Sequence, residues 1–184
     1  MPPAGVGQGR TAEGYHFLGR ADAPVTMQDF SDFLCDQCRL FATRTEPALE
    51  AAYIDTGKVK FVFRHLLQLG PGSVRTAEAS ECAGDQNDFW PMHDLLYAHQ
   101  NDVYASKDLD TTLLGFARDL HLNSTAFATC MQTHKYLTMV QNDYQAAQRA
   151  GIVSRPSFDI QGTRLIGAQS FGVFQAAINN KLTR

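Results

Sequence analysis

The spacing of apolar and polar residues changes several times along the chain. Val25-Thr26-Met27-Gln28-Asp29-Phe30 roughly alternates and is β-prone, which predicts a strand. Ser31 to Leu34 read as a loop. From Cys38 to Ile54 the residues Leu40, Phe41, Leu49, Ala52 and Tyr53 recur near helical spacing, with Pro47 inside the pattern, where proline kinks or splits a helix. Thr56-Gly57 ends that segment, because glycine enters the left-handed region without steric cost. Val59-Lys60-Phe61-Val62-Phe63 reads as a second strand. Strand–helix–strand order favours a parallel pair with a right-handed crossover.

Residues 73–150 have another character. Ala, Glu, Gln, Leu and Met dominate, and β-branched runs are absent. Punctuation near Gly84-Asp85, Asn101-Asp102, Leu122-Asn123 and Thr133-His134 divides the stretch into four or five helices. Strand character returns at Ser157-Phe158-Asp159-Ile160. Gln161-Gly162-Thr163 supplies a turn, and Arg164-Leu165-Ile166-Gly167 a partner strand, so this pair is a hairpin. Ser170 caps a final helix with Phe171, Phe174, Ala177, Ile178 and Leu182 on one face. The order is β-α-β, a helical block, then β-β-α. The outer segments together resemble an α/β thioredoxin fold, with an all-helical subdomain inserted. Residues 1–15, rich in Gly, Pro and Ala at their start, read as a flexible tail. Residues 16–72 and 151–184 then form the frame, and residues 73–150 the insertion.

Composition narrows the function. The 184 residues include 16 Lys+Arg and 19 Asp+Glu, a net charge of −3, and no basic run is present. Nucleic acid and acidic membrane surfaces are poor partners for such a chain. No stretch approaches the 18 or so apolar residues that span a bilayer. Four cysteines are too few for a disulfide-built miniature protein, but enough for one reactive pair and one structural pair.

Cys35-Asp36-Gln37-Cys38 carries the strongest chemistry. This CxxC follows a predicted strand and opens a predicted helix. Free backbone N–H groups and the positive end of the helix dipole favour a thiolate there. Two cysteines three apart in a first turn are close enough to form a disulfide. Cys35 is then the exposed nucleophile and Cys38 the more buried resolving thiol, exchanging through a mixed disulfide. Half of a zinc site is the other reading of CxxC, but Cys82 and Cys130 make no second close pair, so no metal is expected. Pro156 precedes the predicted strand at Ser157. A cis proline at a strand entrance leaves the preceding backbone free to pair with an extended substrate, while an ordinary strand-start proline is the plainer alternative.

On these residues the chain resembles the DsbA-like thiol:disulfide oxidoreductases of the BdbD-like bacterial branch. The matching blocks run from about His16 to Leu182. They include Asp22-Ala23-Pro24-Val25-Thr26, Asp29-Phe30-Ser31-Asp32-Phe33, the CxxC, Asp55-Thr56-Gly57-Lys58-Val59, Ala79-Ser80-Glu81-Cys82-Ala83, Phe89-Trp90-Pro91-Met92-His93-Asp94 and the region around Pro156. The resemblance implies a thioredoxin fold with a helical insertion, a cis-Pro156 loop facing CxxC, and oxidation of unfolded or secreted protein substrates. It implies no cofactor, a monomer, and reoxidation by a membrane quinone-linked partner of DsbB or VKOR type. It also implies an extracytoplasmic location, reached through a signal or anchor outside the sequence given.

Two positions depart from the family pattern. Asp36-Gln37 stands where Pro-Phe or Pro-His is common, and Arg155 stands where Thr or Val is common before the proline. Asp36 opposes a thiolate at Cys35 and Arg155 favours it, so the two changes push the redox potential in opposite directions. By resemblance Asp29 is a buried acid that assists proton transfer; a solvated strand-end carboxylate is the alternative. By resemblance Cys82 and Cys130 form a structural disulfide; two buried free thiols are the alternative. A disulfide reductase or isomerase, and a binding or chaperone-like module with a structural CxxC, remain competing functions.

Overall fold

A computed structural model of the chain describes residues 7–183. Strand β1 (Gln8–Arg10) is followed by β2 (His16–Leu18), β3 (Val25–Ser31), α1 (Asp36–Arg44), α2 (Glu46–Leu49), a π-helical turn (Glu50–Ile54) and β4 (Val59–His65). Six helices come next: α3 (Pro71–Gly84), α4 (Phe89–Ala98), α5 (Gln100–Ala105), α6 (Leu109–Asp119), α7 (Ser124–Gln132) and α8 (Leu137–Arg149). Strands β5 (Ser157–Ile160) and β6 (Thr163–Ile166) and helix α9 (Phe171–Leu182) complete the chain. The strands form one sheet in the order β1-β2-β4-β3-β5-β6. Only β3 and β4 pair in parallel, joined by the α1–α2 crossover; the other neighbours are antiparallel.

Period-two alternation explains which side chains meet which layer. Val25, Met27, Val59, Phe61 and Phe63 enter one apolar cluster together with Phe41 of α1, Phe158 of β5 and Phe174 of α9. The Phe41 ring lies 4.4 Å from Phe158 and 5.3 Å from Phe174. Ala79, Phe89, Leu96, Leu113 and Phe127 of the helical block join the same cluster. Phe30 points the other way and packs with Leu66, Ala147 and Ile152. Beside it Arg64 donates from Nε to Asp143 Oδ1 at 2.7 Å, while the Asp143 Oδ2 atom accepts from the His65 N–H. This buried pair ties α8 to the sheet.

The structure changes several expectations. The tail reading fails for residues 8–10, which form an edge strand, and His16–Leu18 is a strand that alternation in so short a segment did not reveal; residues 1–6 lie outside the described part. A buried acid holds this end down: Glu81 Oε2 accepts from Arg10 at 2.9 Å and lies 3.2 Å from His16 Nε2. The helical block has six helices rather than four or five. The segment around Pro47 splits at Thr45, and the proline occupies the first turn of the second piece, where its missing N–H costs nothing. Thr163 belongs to β6 rather than to the turn, because Gln161 and Gly162 both take positive φ and close the hairpin in two residues. The Ser170 side chain makes no capping hydrogen bond, although Ser170 does precede α9.

Cys82 of α3 and Cys130 of α7 are joined in a disulfide, with a Cα–Cα distance of 5.9 Å. It closes a loop of 48 residues. A crosslink of that span stabilises the fold by about 4 kcal/mol in the chain-entropy account. Replacing both cysteines by alanine is expected to lower unfolding free energy by roughly that amount in urea titration while leaving the Cys35–Cys38 chemistry intact. An unchanged midpoint would remove the disulfide from the list of stabilising features.

Candidate active site

Helix α1 begins at the reactive motif. Cys35 takes the N-cap position with extended backbone angles (φ −87°, ψ 122°), so the first turn of α1 lies directly beyond its sulfur. The approach loop is fixed by hydrogen bonds. Asp32 accepts from the Leu34 N–H at 3.0 Å, the Gln68 N–H at 2.9 Å and the Ser73 hydroxyl at 2.8 Å. Gln100 of α5 donates to the carbonyls of Phe33 and Cys35, and the Tyr104 hydroxyl donates to the carbonyl of Leu34. One carboxylate and two side chains from the helical block thus hold the backbone from which Cys35 projects.

Cys35 and Cys38 are both unbridged. Cys35 is 7% exposed and Cys38 1%. The expectation of an exposed Cys35 is corrected: neighbouring residues cover most of it, and it is only the more accessible of the two. Their chemistry diverges more than their exposure. The Cys35 thiol is lowered to about 6. The Cys38 thiol, donating to the Cys35 sulfur, is the largest cause; burial opposes it, and the N–H groups of Cys38 and Gln37 and the charge of Arg155 add to it. Cys38 itself is pushed well above its ordinary value, first by burial and then by its bond to Cys35, with the Cys35 and Asp29 charges adding. Asp36 and Gln37 are exposed. Water screens the Asp36 charge, so its opposition to the thiolate is weak.

Strand β5 brings Pro156 to this end of the sheet. Phe30 pairs with Ser157, so Pro156 sits beside the end of β3, just before the chain turns into the CxxC loop. The Arg155–Pro156 peptide is cis. Arg155 donates from one terminal nitrogen to Gln68 Oε1 at 2.7 Å, and its Nε is buried without a partner. Asp29 lies on the same sheet face as Met27 and Phe63 and is 1% exposed. Burial raises its carboxyl to about 8, against the pull of the Ser31 hydroxyl, which donates to it at 2.5 Å. The solvated strand-end alternative is therefore incompatible with the structure. Cys82 and Cys130 are bonded to each other, apart from the CxxC. Among the described residues no group of three or more His, Cys, Asp or Glu side chains is placed to hold a metal.

Sequence reasoning missed Asp32, Glu46, His93, Gln100 and Tyr104. The signal existed for three of them: His93, Gln100 and Tyr104, together with Tyr97, recur three or four residues apart along α4 and α5, a polar stripe inside an apolar pattern. Asp32 and Glu46 had no such signal, because an acid in a loop or a first helical turn is usually solvated.

The Thioredoxin_4 family model, described as thioredoxin, matches residues 11–180. The chain belongs to this thioredoxin family. The chain is 32% identical over 167 residues to a Na(+)/H(+) antiporter NhaA 1 of Salinispora arenicola, covering 90% of this chain and 24% of that protein. The chain thus spans about a quarter of the antiporters it matches. It is 29% identical over 152 residues to disulfide bond formation protein D of Bacillus subtilis, covering 79% of this chain and 67% of that one. Among solved structures, oxidised BdbD from Bacillus subtilis superposes with a TM-score of 0.86 at 24% identity, covering 97% of this chain and 98% of that one. Alpha-DsbA1 of Wolbachia pipientis superposes at 0.84 with 25% identity, covering 95% and 94%. The fold of this thioredoxin-family chain is therefore the DsbA-like one.

Iodoacetamide alkylation of the reduced protein is expected to follow a titration of Cys35 with a midpoint near 6. Arg155→Gln removes a favourable charge and is expected to raise that midpoint. A midpoint unmoved by the substitution would show that Arg155 does not reach the sulfur.

Proposed function

We propose that this chain is a dithiol–disulfide oxidoreductase that passes its Cys35–Cys38 disulfide to cysteines of unfolded or secreted proteins, acting as oxidant. The observation that carries the reading is Cys35 at the N-cap of α1 with Cys38 one turn behind it, a placement that lowers the Cys35 thiol. A substrate thiolate attacks Cys35, the Cys35–Cys38 bond breaks, and Cys38 leaves with the electron pair. The substrate's second thiolate then attacks the mixed disulfide and releases Cys35 as a stable thiolate. Stabilising that thiolate stabilises the reduced protein, which makes the disulfide the stronger oxidant. Pro156 and Arg155 edge the place where an extended peptide meets Cys35, and Asp29 exchanges a proton with Cys38.

The names of the Bacillus and Wolbachia relatives agree with this reading. The antiporter name describes proteins about four times as long, and it does not transfer to a chain spanning 24% of them. Among the described residues no helix is long and apolar enough to cross a membrane. The Cys82–Cys130 disulfide supports an oxidising, extracytoplasmic compartment. A membrane quinone-linked partner of DsbB or VKOR type would restore the Cys35–Cys38 disulfide after each turnover.

Equilibration with glutathione buffers tests the direction. The expected potential lies well above the thioredoxin value of about −270 mV. A value at or below it would favour the reductase reading. Cys35→Ser is expected to abolish exchange, whereas a binding module with a structural CxxC would keep its activity.

A further inference from the structure

Behind Cys38 lie ionisable groups that the exchange steps above do not use. Glu46, in the first turn of α2, is 3% exposed. Its carboxyl is pushed well above the usual range by burial, then by Asp29 of β3, Glu50 of the π-helical turn and Asp94 of α4. His93 of α4 is buried between this acid and the surface. Its Nε2 lies 4.0 Å from Glu46 Oε2, and its Nδ1 lies 2.9 Å from Oδ1 of Asp94, whose side chain is 63% exposed. One turn along α4, the Tyr97 ring meets the His93 ring edge-on at 4.9 Å, and its hydroxyl is pushed well above its ordinary value by burial, then by Cys38, Asp29, Asp32 and Glu46. Among the described residues five buried side-chain polar atoms lack a hydrogen-bond partner, and Glu46 Oε2, His93 Nε2 and the Tyr97 hydroxyl are three of them. Buried polar atoms are nearly always paired, so three unpaired ones in one patch call for a role.

The exchange reaction, on the reading above, leaves a proton to place. Cys38 departs as a buried thiolate, takes a proton from Asp29, and becomes a thiol. The Asp29 carboxylate left behind sits on an apolar sheet face and has to be protonated again. We propose that Glu46, His93 and Asp94 form a line that conducts this proton from solvent to Asp29, with the Tyr97 hydroxyl beside its inner end. Glu46 gives its proton to Asp29 and is reloaded through the imidazole, which accepts at one ring nitrogen and releases at the other. The balance is one proton taken from solvent for each Cys38 thiolate formed, with no change in electrons along the line. Glu50, half-buried and pushed up to about 7 by burial and then by Asp94 and Asp55, is a second surface entry one helical turn from Glu46.

Wild type, E46Q and the double variant E50Q/D94N are oxidised and mixed with a reduced single-cysteine peptide between pH 6 and 9.5, in H2O and in D2O. Mixed-disulfide formation is followed by mass after acid quench. E46Q is expected to slow the step about tenfold at alkaline pH, less than the roughly hundredfold low end for a lost general acid because Asp29 itself remains, and to shift its pH profile. E50Q/D94N is expected to show a smaller shift in the same direction, and both variants to keep the wild-type Cys35 alkylation midpoint. A wild-type rate and pH profile in E50Q/D94N overturns the proposal, whether or not E46Q folds, and so does the same profile in a folded E46Q. An equal loss at every pH with a displaced alkylation midpoint also overturns it, because that is a structural effect. If the wild type forms no mixed disulfide, it is the exchange reading that fails.

Discussion

The site depends on one constraint, the seating of Cys35 at the N-cap of α1 with the Cys38 thiol one turn behind it. A thiolate there meets that thiol, two backbone N–H groups and the Arg155 charge in a setting that excludes most water. In the disulfide the charge is gone, and those donors have nothing to stabilise. The interaction therefore belongs to the reduced state alone. Much of the surrounding structure serves its geometry. The parallel β3–β4 pair sets where the loop leaves the sheet, Asp32 pins that loop to the start of α3, and Gln100 and Tyr104 fix its carbonyls from α5.

Burial then separates the two cysteines. Both sit in apolar surroundings, yet one thiol falls and the other rises: burial is the largest cause at the deeper Cys38, while at Cys35 the Cys38 thiol and the first-turn N–H groups outweigh it. Asp29 is raised by the same desolvation that raises Cys38. At neutral pH the site thus holds an anionic sulfur beside a neutral thiol and a neutral carboxylic acid, the arrangement that exchange through a mixed disulfide requires. Around this electrostatically uneven spot the sheet face is apolar at Met27, Phe61 and Phe63, and His65 further along β4 is paired with Glu81 at 3.0 Å.

Much of this was legible in the sequence, for local reasons. CxxC between a strand and a helix marks both cysteines, and proline before a late strand marks the cis peptide that β5 carries to the end of β3. The alternation Val25, Met27, Asp29 already puts the acid on the apolar face, although its burial needed the helices packed above it. The edge strand Gln8–Arg10 was hidden because it is held by Glu81, 71 residues away, rather than by its own pattern. Glu46 was hidden for a similar reason. An acid in a first helical turn is ordinarily wet, whereas here Glu46 is buried with His93 of α4 at 4.0 Å. The number of helices between β4 and β5 was underestimated because a single break was marked, at Asn101-Asp102, where the chain breaks twice, at His99 and again between α5 and α6 at Ser106–Asp108.

The central claim is that the helix-start thiolate stabilises the reduced protein over the oxidised one. Comparing urea unfolding of the two redox forms across pH tests it most directly. The folded-state Cys35 value, about 6, lies below its ordinary value of 9.0. The extra stability of the reduced form is thus fully present above the ordinary value and is lost as pH falls through about 6. The account predicts that the reduced form gains on the oxidised form as pH rises from about 6 toward 9. A difference that stays flat across that range, or grows toward acid pH, would contradict it.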